Sequence, residues 1–176
     1  MLSAPTIVTP PAAEPLEIED AFLFLRLDDA GSLDPEIALI VASAVADIEA
    51  TTSTRLIEQT VRLHADSFND LDHLQIGPVQ RVEALTYVDE LGETVVLPPG
   101  AFELTGADLE RGIAPIGAWP TGAARKITVD LVVGYAQSSE DVPAQLRWAL
   151  LALIRGKFEG KPVDIEPLVV NRRIYG

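Results

Sequence analysis

The stretch Ile127–Ile154, ITVDLVVGYAQSSEDVPAQLRWALLALI, contains almost no chemistry and changes its hydrophobic period in the middle. Its first part, ending at Gly134, reads as a strand, and a short polar loop then hands over to a helix. In that helix Leu146, Ala149, Leu150, Leu153 and Ile154 form an ordinary core stripe, while Trp148, Leu151 and Ala152 fill the other sides. A helix that is apolar all round must be covered all round. An earlier segment has the same property: IALIVASAVA, Ile37–Ala46, spreads apolar and small residues over its whole circumference. A domain of this length with a modest sheet has trouble burying two such helices alone, so the surplus points to subunit contacts through Ile40, Val41, Val45, Trp148 and Leu151. The competing reading places both helices in the middle of a helical layer capped by the sheet.

The chain has 176 residues, which sets the expectation of one domain over 1–176. No cysteine is present, so no disulfide, thiolate nucleophile or cysteine metal site is expected. No segment approaches the roughly 18 apolar residues of a membrane span, and neither a signal peptide nor a membrane partner is predicted. Thirteen basic against twenty-seven acidic side chains give a net charge of -14, which disfavours gripping nucleic acid by phosphate neutralisation. The charge is uneven. Residues 1–50 hold ten acids and one base, Arg26, whereas residues 141–176 hold four acids and six bases.

Four prolines in residues 1–15 predict an extended leader. Residues 16–56 are expected to be helical. PLEIEDAFLFLRL opens with acids suited to a positive helix N-terminus and is expected to place Leu16, Phe22, Leu23 and Leu27 on one apolar face; a second helix starts at Asp34-Pro35, with Ile37, Ile40, Val41, Ala44, Val45 and Ile48 following at helical spacing. Residues 57–135 are expected to form a β-rich insertion. QTVRLHADSF alternates Val61, Leu63 and Ala65 against polar residues, VEALTYVDELGETVVL reads as two strands about Asp89–Gly92, and AFELTGADLERGIAPI as a pair about Gly106. A helix over 141–160 and a docking tail over 161–176 complete the chain. The predicted class is α+β: a bundle of about three helices, an antiparallel meander inserted between the second and third, and an extended C-terminal tail.

Little here points to catalysis, cofactors or metals, and the chain is read as a non-enzyme. His64 falls on the polar phase of a strand and His73 in a loop, neither with a second ligand at metal spacing. Asp28, Asp29 and Asp34 around Gly31 lack the alternating oxygens and closing glutamate of a calcium loop. No G-x-S-x-G, P-loop or G-x-G-x-x-G occurs, and no pair of the many carboxylates stands out. Trp119, before Pro120, is either a lid over the sheet's end or an exposed anchor. In the tail, Arg172, Arg173 and Tyr175 are of types enriched at interaction hot spots and follow Val169, Val170 and Asn171, which suggests a segment outside the core that docks on another protein.

The order of these elements resembles the head-to-tail connector proteins of long-tailed bacteriophages and gene transfer agents, also called adaptor or head-completion proteins. The likeness rests on PLEIEDAFLFLRLD, DPEIALIVASAVADIEATTSTRLIEQTVRL, LTYVDELGE, the AWP before a strand, and above all VVGYAQSSEDVPAQLRWALLALI, where Gly134, Tyr135, Val142 and Pro143 match the family's Gly-Tyr and Val-Pro. The resemblance implies a structural, non-catalytic protein that forms a ring, commonly dodecameric, beneath the portal. Such a ring joins the DNA-filled head to the tail or stopper, and double-stranded DNA passes through without specific binding. It also implies a place in the neck of a virion or phage-like particle, assembly in the bacterial host cytoplasm, and docking on the portal by Val169, Val170, Asn171, Arg172, Arg173 and Tyr175. Competing expectations are another neck protein, such as a stopper or tail terminator, or an acidic, DNA-mimicking inhibitor with a basic protein partner.

Overall fold

A computed structural model of the chain describes residues 1–27, 34–121 and 125–175, with backbone alone for Asp34 and Arg125. In chain order the elements are β1 (Thr6–Thr9), α1 (Ile18–Leu25), α2 (Asp34–Thr52), β2 (Gln59–Ala65), β3 (Val79–Val88), β4 (Thr94–Val96), β5 (Phe102–Ala107), β6 (Glu110–Pro115), β7 (Arg125–Val133), α3 (Ala144–Glu159) and the short α4 (Glu166–Val169). Five strands make an antiparallel sheet in the order β1-β2-β7-β3-β4, and β5 with β6 forms a separate two-stranded ribbon.

This arrangement corrects the expected three-helix bundle with an inserted meander. The chain is α+β, but the sheet is a second structural layer with its own core, and its order departs from the chain because the last strand, β7, lies at its centre. β7 enters between β2 and β3, pairing Gln59↔Val133 through Ala65↔Ile127 on one side and Val79↔Val133 through Val88↔Arg125 on the other. A meander needs short turns between neighbours, and between β2 and β3 the chain instead makes a 3-10 turn at Phe68–Asp72, capped by Ser67 and Asp70. That detour leaves the slot β7 fills. The proline-rich leader joins the sheet as well: β1 pairs with β2, and the Ser3 N–H donates to the His64 carbonyl at 2.8 Å. Proline at an edge costs no ladder hydrogen bond, which is why such a leader is tolerated there.

Two apolar cores result. Val61, Leu63, Ala65, Phe68, Leu71, Leu74, Leu85, Ile113, Ile127, Val129, Leu131 and Val133 close the sheet's inner face. A helical core gathers Phe22, Ile37, Val41, Ala44, Ile48, Leu56, Leu146, Ala149, Leu150, Leu153, Ile154, Ile165 and Val169. The strand-to-helix stretch runs from one core into the other, and Gly134 is the joint. Its φ of 143° is disfavoured for L side chains, and a Cβ there would meet the Glu58 backbone nitrogen at 2.5 Å. The Glu58 N–H in turn donates to the Ala136 carbonyl at 2.8 Å, so the chain leaves β7 pressed against the segment leading into β2.

Three further expectations change. Leu23 is not on the buried side of α1, being 77% exposed, because α1 is short and buries only Ala21 and Phe22. The turn between β5 and β6 lies at Asp108 and Leu109, two residues past Gly106, which is instead a strand residue paired with Arg111. The tail is neither extended nor outside the core. Val169 and Ile174 are buried, the Ile174 N–H donates to the Thr52 carbonyl at 2.9 Å, and α4 is followed by a 3-10 turn at Val170–Arg172. The chain returns close to α3 at Gly156, where a Cβ would press on the Lys161 carbonyl at 2.8 Å. Asp28, Asp29 and Gly31, and the Asp34 side chain, lie outside the described residues.

Candidate interaction surfaces

Polar side chains that sequence reasoning weighed for chemistry are spread over the surface. His64 is exposed on the sheet and shares a 3.1 Å hydrogen bond between its Nδ1 and Thr128 Oγ1, while His73 Nε2 lies 3.4 Å from the Tyr175 carbonyl oxygen. Among the described residues no three His, Cys, Asp or Glu side chains converge as a metal site, and no helix is long and apolar enough to cross a membrane. Trp119 is half-buried and lies flat on Phe68, centroids 4.5 Å apart with an interplanar angle of 9°, as a lid on the sheet core. Arg62 and Asp130 form a two-pronged pair across β2 and β7, both contacts at 2.7 Å. It braces the sheet's outer face.

The tail residues divide between anchoring and presentation. Val169 is the buried root of the segment, whereas Val170, Asn171, Arg173 and Tyr175 are exposed and Arg172 is half-buried. The Arg172 guanidinium lies over the Tyr135 ring at 5.7 Å; burial pushes the Tyr135 phenol upward in pKa and the Arg172 cation opposes it. Arg173 reaches Glu166 at 3.4 Å and its guanidinium lies 5.4 Å from the Tyr175 ring centroid. Together with Gln80, His73 and the β5–β6 turn, these residues wall an open groove of about 790 Å³. Sequence reasoning missed Ile174, which pins the presented residues, because a single isoleucine between arginines and tyrosine has no period to betray it.

The helical interface candidates divide too. Val41 is buried in its own protomer's core, and Ile40, Val45 and Leu151 are half-buried against it. Trp148 alone of that set stands well out, 56% exposed, with its ring edge-on to Phe24 at 6.1 Å. Leu23 and Leu39, which were not in the set, are 77% and 71% exposed. Their side of each helix could have been found by assigning the core stripe first and asking which large apolar residues fall opposite it.

The whole-chain fold matches solved neck structures. A chain from the neck of an empty gene transfer agent particle computed with C6 symmetry superposes with a TM-score of 0.83 at 24% identity, covering 99% of this chain and 97% of that one. The chain shares its fold. The same coverage and identity hold for a chain from the virion of a native gene transfer agent particle, TM-score 0.82, and for one from the neck of a native particle computed with C12 symmetry, TM-score 0.77. No family model matches the sequence, and no curated protein matches it significantly. The likeness inferred from residue order therefore holds at the level of fold over nearly the full length, at an identity too low to carry function by itself.

Proposed function

We propose that the chain is a structural subunit of the neck of a phage-like particle, of the head-to-tail adaptor kind, acting by assembly and not by catalysis. Copies associate as a ring beneath the portal and join the DNA-filled head to the tail or stopper. The observation that carries this reading is the full-length fold match, 99% of this chain against 97% of a gene transfer agent neck chain. Two features support it. Large apolar side chains on the outside of the helical layer are left in water by a lone protomer, as expected of a ring subunit. The net charge of -14 suits a channel wall past which phosphates slide, since holding DNA needs the opposite sign. Val170, Asn171, Arg172, Arg173 and Tyr175, held in place by buried Val169 and Ile174, are the portion offered to the portal.

A second reading within the same assembly is a stopper or tail terminator, because the fold match is to a neck and does not say which part of it the chain forms. Adding the purified protein to tailless, portal-bearing heads and imaging them separates the two. Twelve-fold density directly under the portal supports the adaptor; six-fold density that needs another ring beneath the portal first supports the stopper. Heads that stay bare in both conditions would remove the neck reading and leave an acidic binding protein, to be sought through basic partners.

A further inference from the structure

A closed ring joins unlike faces head to tail, whereas a two-fold dimer joins like ones. The helical layer carries two faces that differ in this complementary way. On α2, Ala38, Leu39, Ala42 and Ala46 are exposed, and no charged side chain occurs between Glu36 and Asp47. Successive helical residues are about 100° apart, so Leu39, Ala42 and Ala46 lie roughly half a turn from the buried Ile37, Val41, Ala44 and Ile48. Three alanines make that face shallow. A bulky group can approach the helix backbone closely there.

The other face is the opposite in shape. Leu23 on α1 and Trp148 on α3 project from a seam where Phe24 packs edge-on to the indole at 87°. Arg155 lies over the Phe24 ring at 4.1 Å and donates to the Phe24 carbonyl at 2.7 Å, which holds the knob in position before any partner arrives. Rigid aromatic anchors are the residues that dominate association energetics. Most charges of this layer are paired within one copy, Lys157 of α3 with Asp47 of α2 at 2.7 Å and Arg147 with Asp20 at 3.3 Å, which leaves the flanking charges to select a partner. Beside the alanine face Glu36 is exposed, beside the knob Arg26 is exposed, and among the described residues neither side chain has a polar partner.

Resting on the ring reading above, we propose that the alanine face of α2 in one copy receives the Leu23–Trp148 knob of the next, with Glu36 facing Arg26 across the contact. The occupant of each face is a second copy of this chain. Its two flanking charges fix the register and exclude the like-on-like pairing, which would bring Glu36 against Glu36.

The natural chain has no cysteine, so cross-linking in the full-length protein reads this contact cleanly. Leu39→Cys and Leu23→Cys proteins, mixed and mildly oxidised on portal-bearing heads, are expected to give mixed disulfide dimers, and the protein with both substitutions a covalent ladder. Equal or better homodimer yields from either single variant would overturn the proposal. In parallel, Arg26→Glu or Glu36→Arg alone should lower ring occupancy at least tenfold, and the two together should restore it. Rings that form normally in every charge variant and give no mixed disulfide would refute the face assignment while leaving the neck function standing. Heads on which the natural protein forms no ring would refute both.

Discussion

The sheet half and the helical half bury apolar surface by different rules, and the difference shows in what each leaves outside. Along β2 the inward positions Val61, Leu63 and Ala65 are buried while Arg62 is half-exposed and His64 exposed, so alternation states the burial of each residue directly. Along Ile37–Ala46 nearly every side chain is apolar or small, and burial ranges from none of Ile37 exposed to 71% of Leu39. A strand with one wet face needs polar residues every second position. A helix whose outer face meets another subunit does not. On the ring reading proposed above, the half that breaks the monomer's own solubility pattern is the half that carries assembly.

The first way to break this comparison is to damage each core equally. Leu131→Ala in the sheet core and Leu150→Ala in the helical core, both fully buried, should each cost about 2–5 kcal/mol of stability and unfold the whole chain in a single transition by denaturant titration. Two separated transitions would mean that the halves fold independently. A smaller effect comes from their joint. Gly134→Ala should cost about 1–3 kcal/mol through its positive φ and the Glu58 contact, and calorimetry should show both halves weakened together.

The smallest effect sharpens the helical side alone. Burial pushes the Glu49 carboxyl upward in pKa, against the Leu56 N–H it accepts at 2.9 Å and the Arg55 guanidinium 3.6 Å away. A carboxyl raised in the fold contributes stability below its unfolded value and loses it as pH rises through the folded one. Glu49→Gln keeps an acceptor for that N–H and should gain in Tm relative to the natural chain on going from acidic to neutral pH. A Tm difference that stays flat with pH would mean the Arg55 contact offsets the burial.

Much of this architecture was legible in advance where a period or a turn residue exposed it. β2, the β3–β4 hairpin, β7 and the outlines of α2 and α3 follow from alternation, Asp89–Gly92 and unbroken apolar runs. Strand order was not legible, because nothing within Arg125–Val133 states that its neighbours are β2 and β3 and not β6. The leader misled for a related reason: four prolines describe an extended chain correctly and say nothing of whether an edge lies beside it. At the candidate surfaces, residue type located Trp148, Arg172, Arg173 and Tyr175, but the inward turn of Val41 and the outward turn of Leu23 depend on how short α1 is and where its partners lie.

The central place of β7 has a consequence during synthesis. Once the first 124 residues have emerged from the ribosome, β1–β2 and β3–β4 are two separate pairs, each with an open edge and an uncovered apolar face. Both wait for the same strand. α3, which completes the helical core, follows even later, so the nascent protein stays adhesive until its last third emerges. Where many copies are made at once this interval must be shielded, and chaperone demand should fall sharply only when β7 clears the exit tunnel.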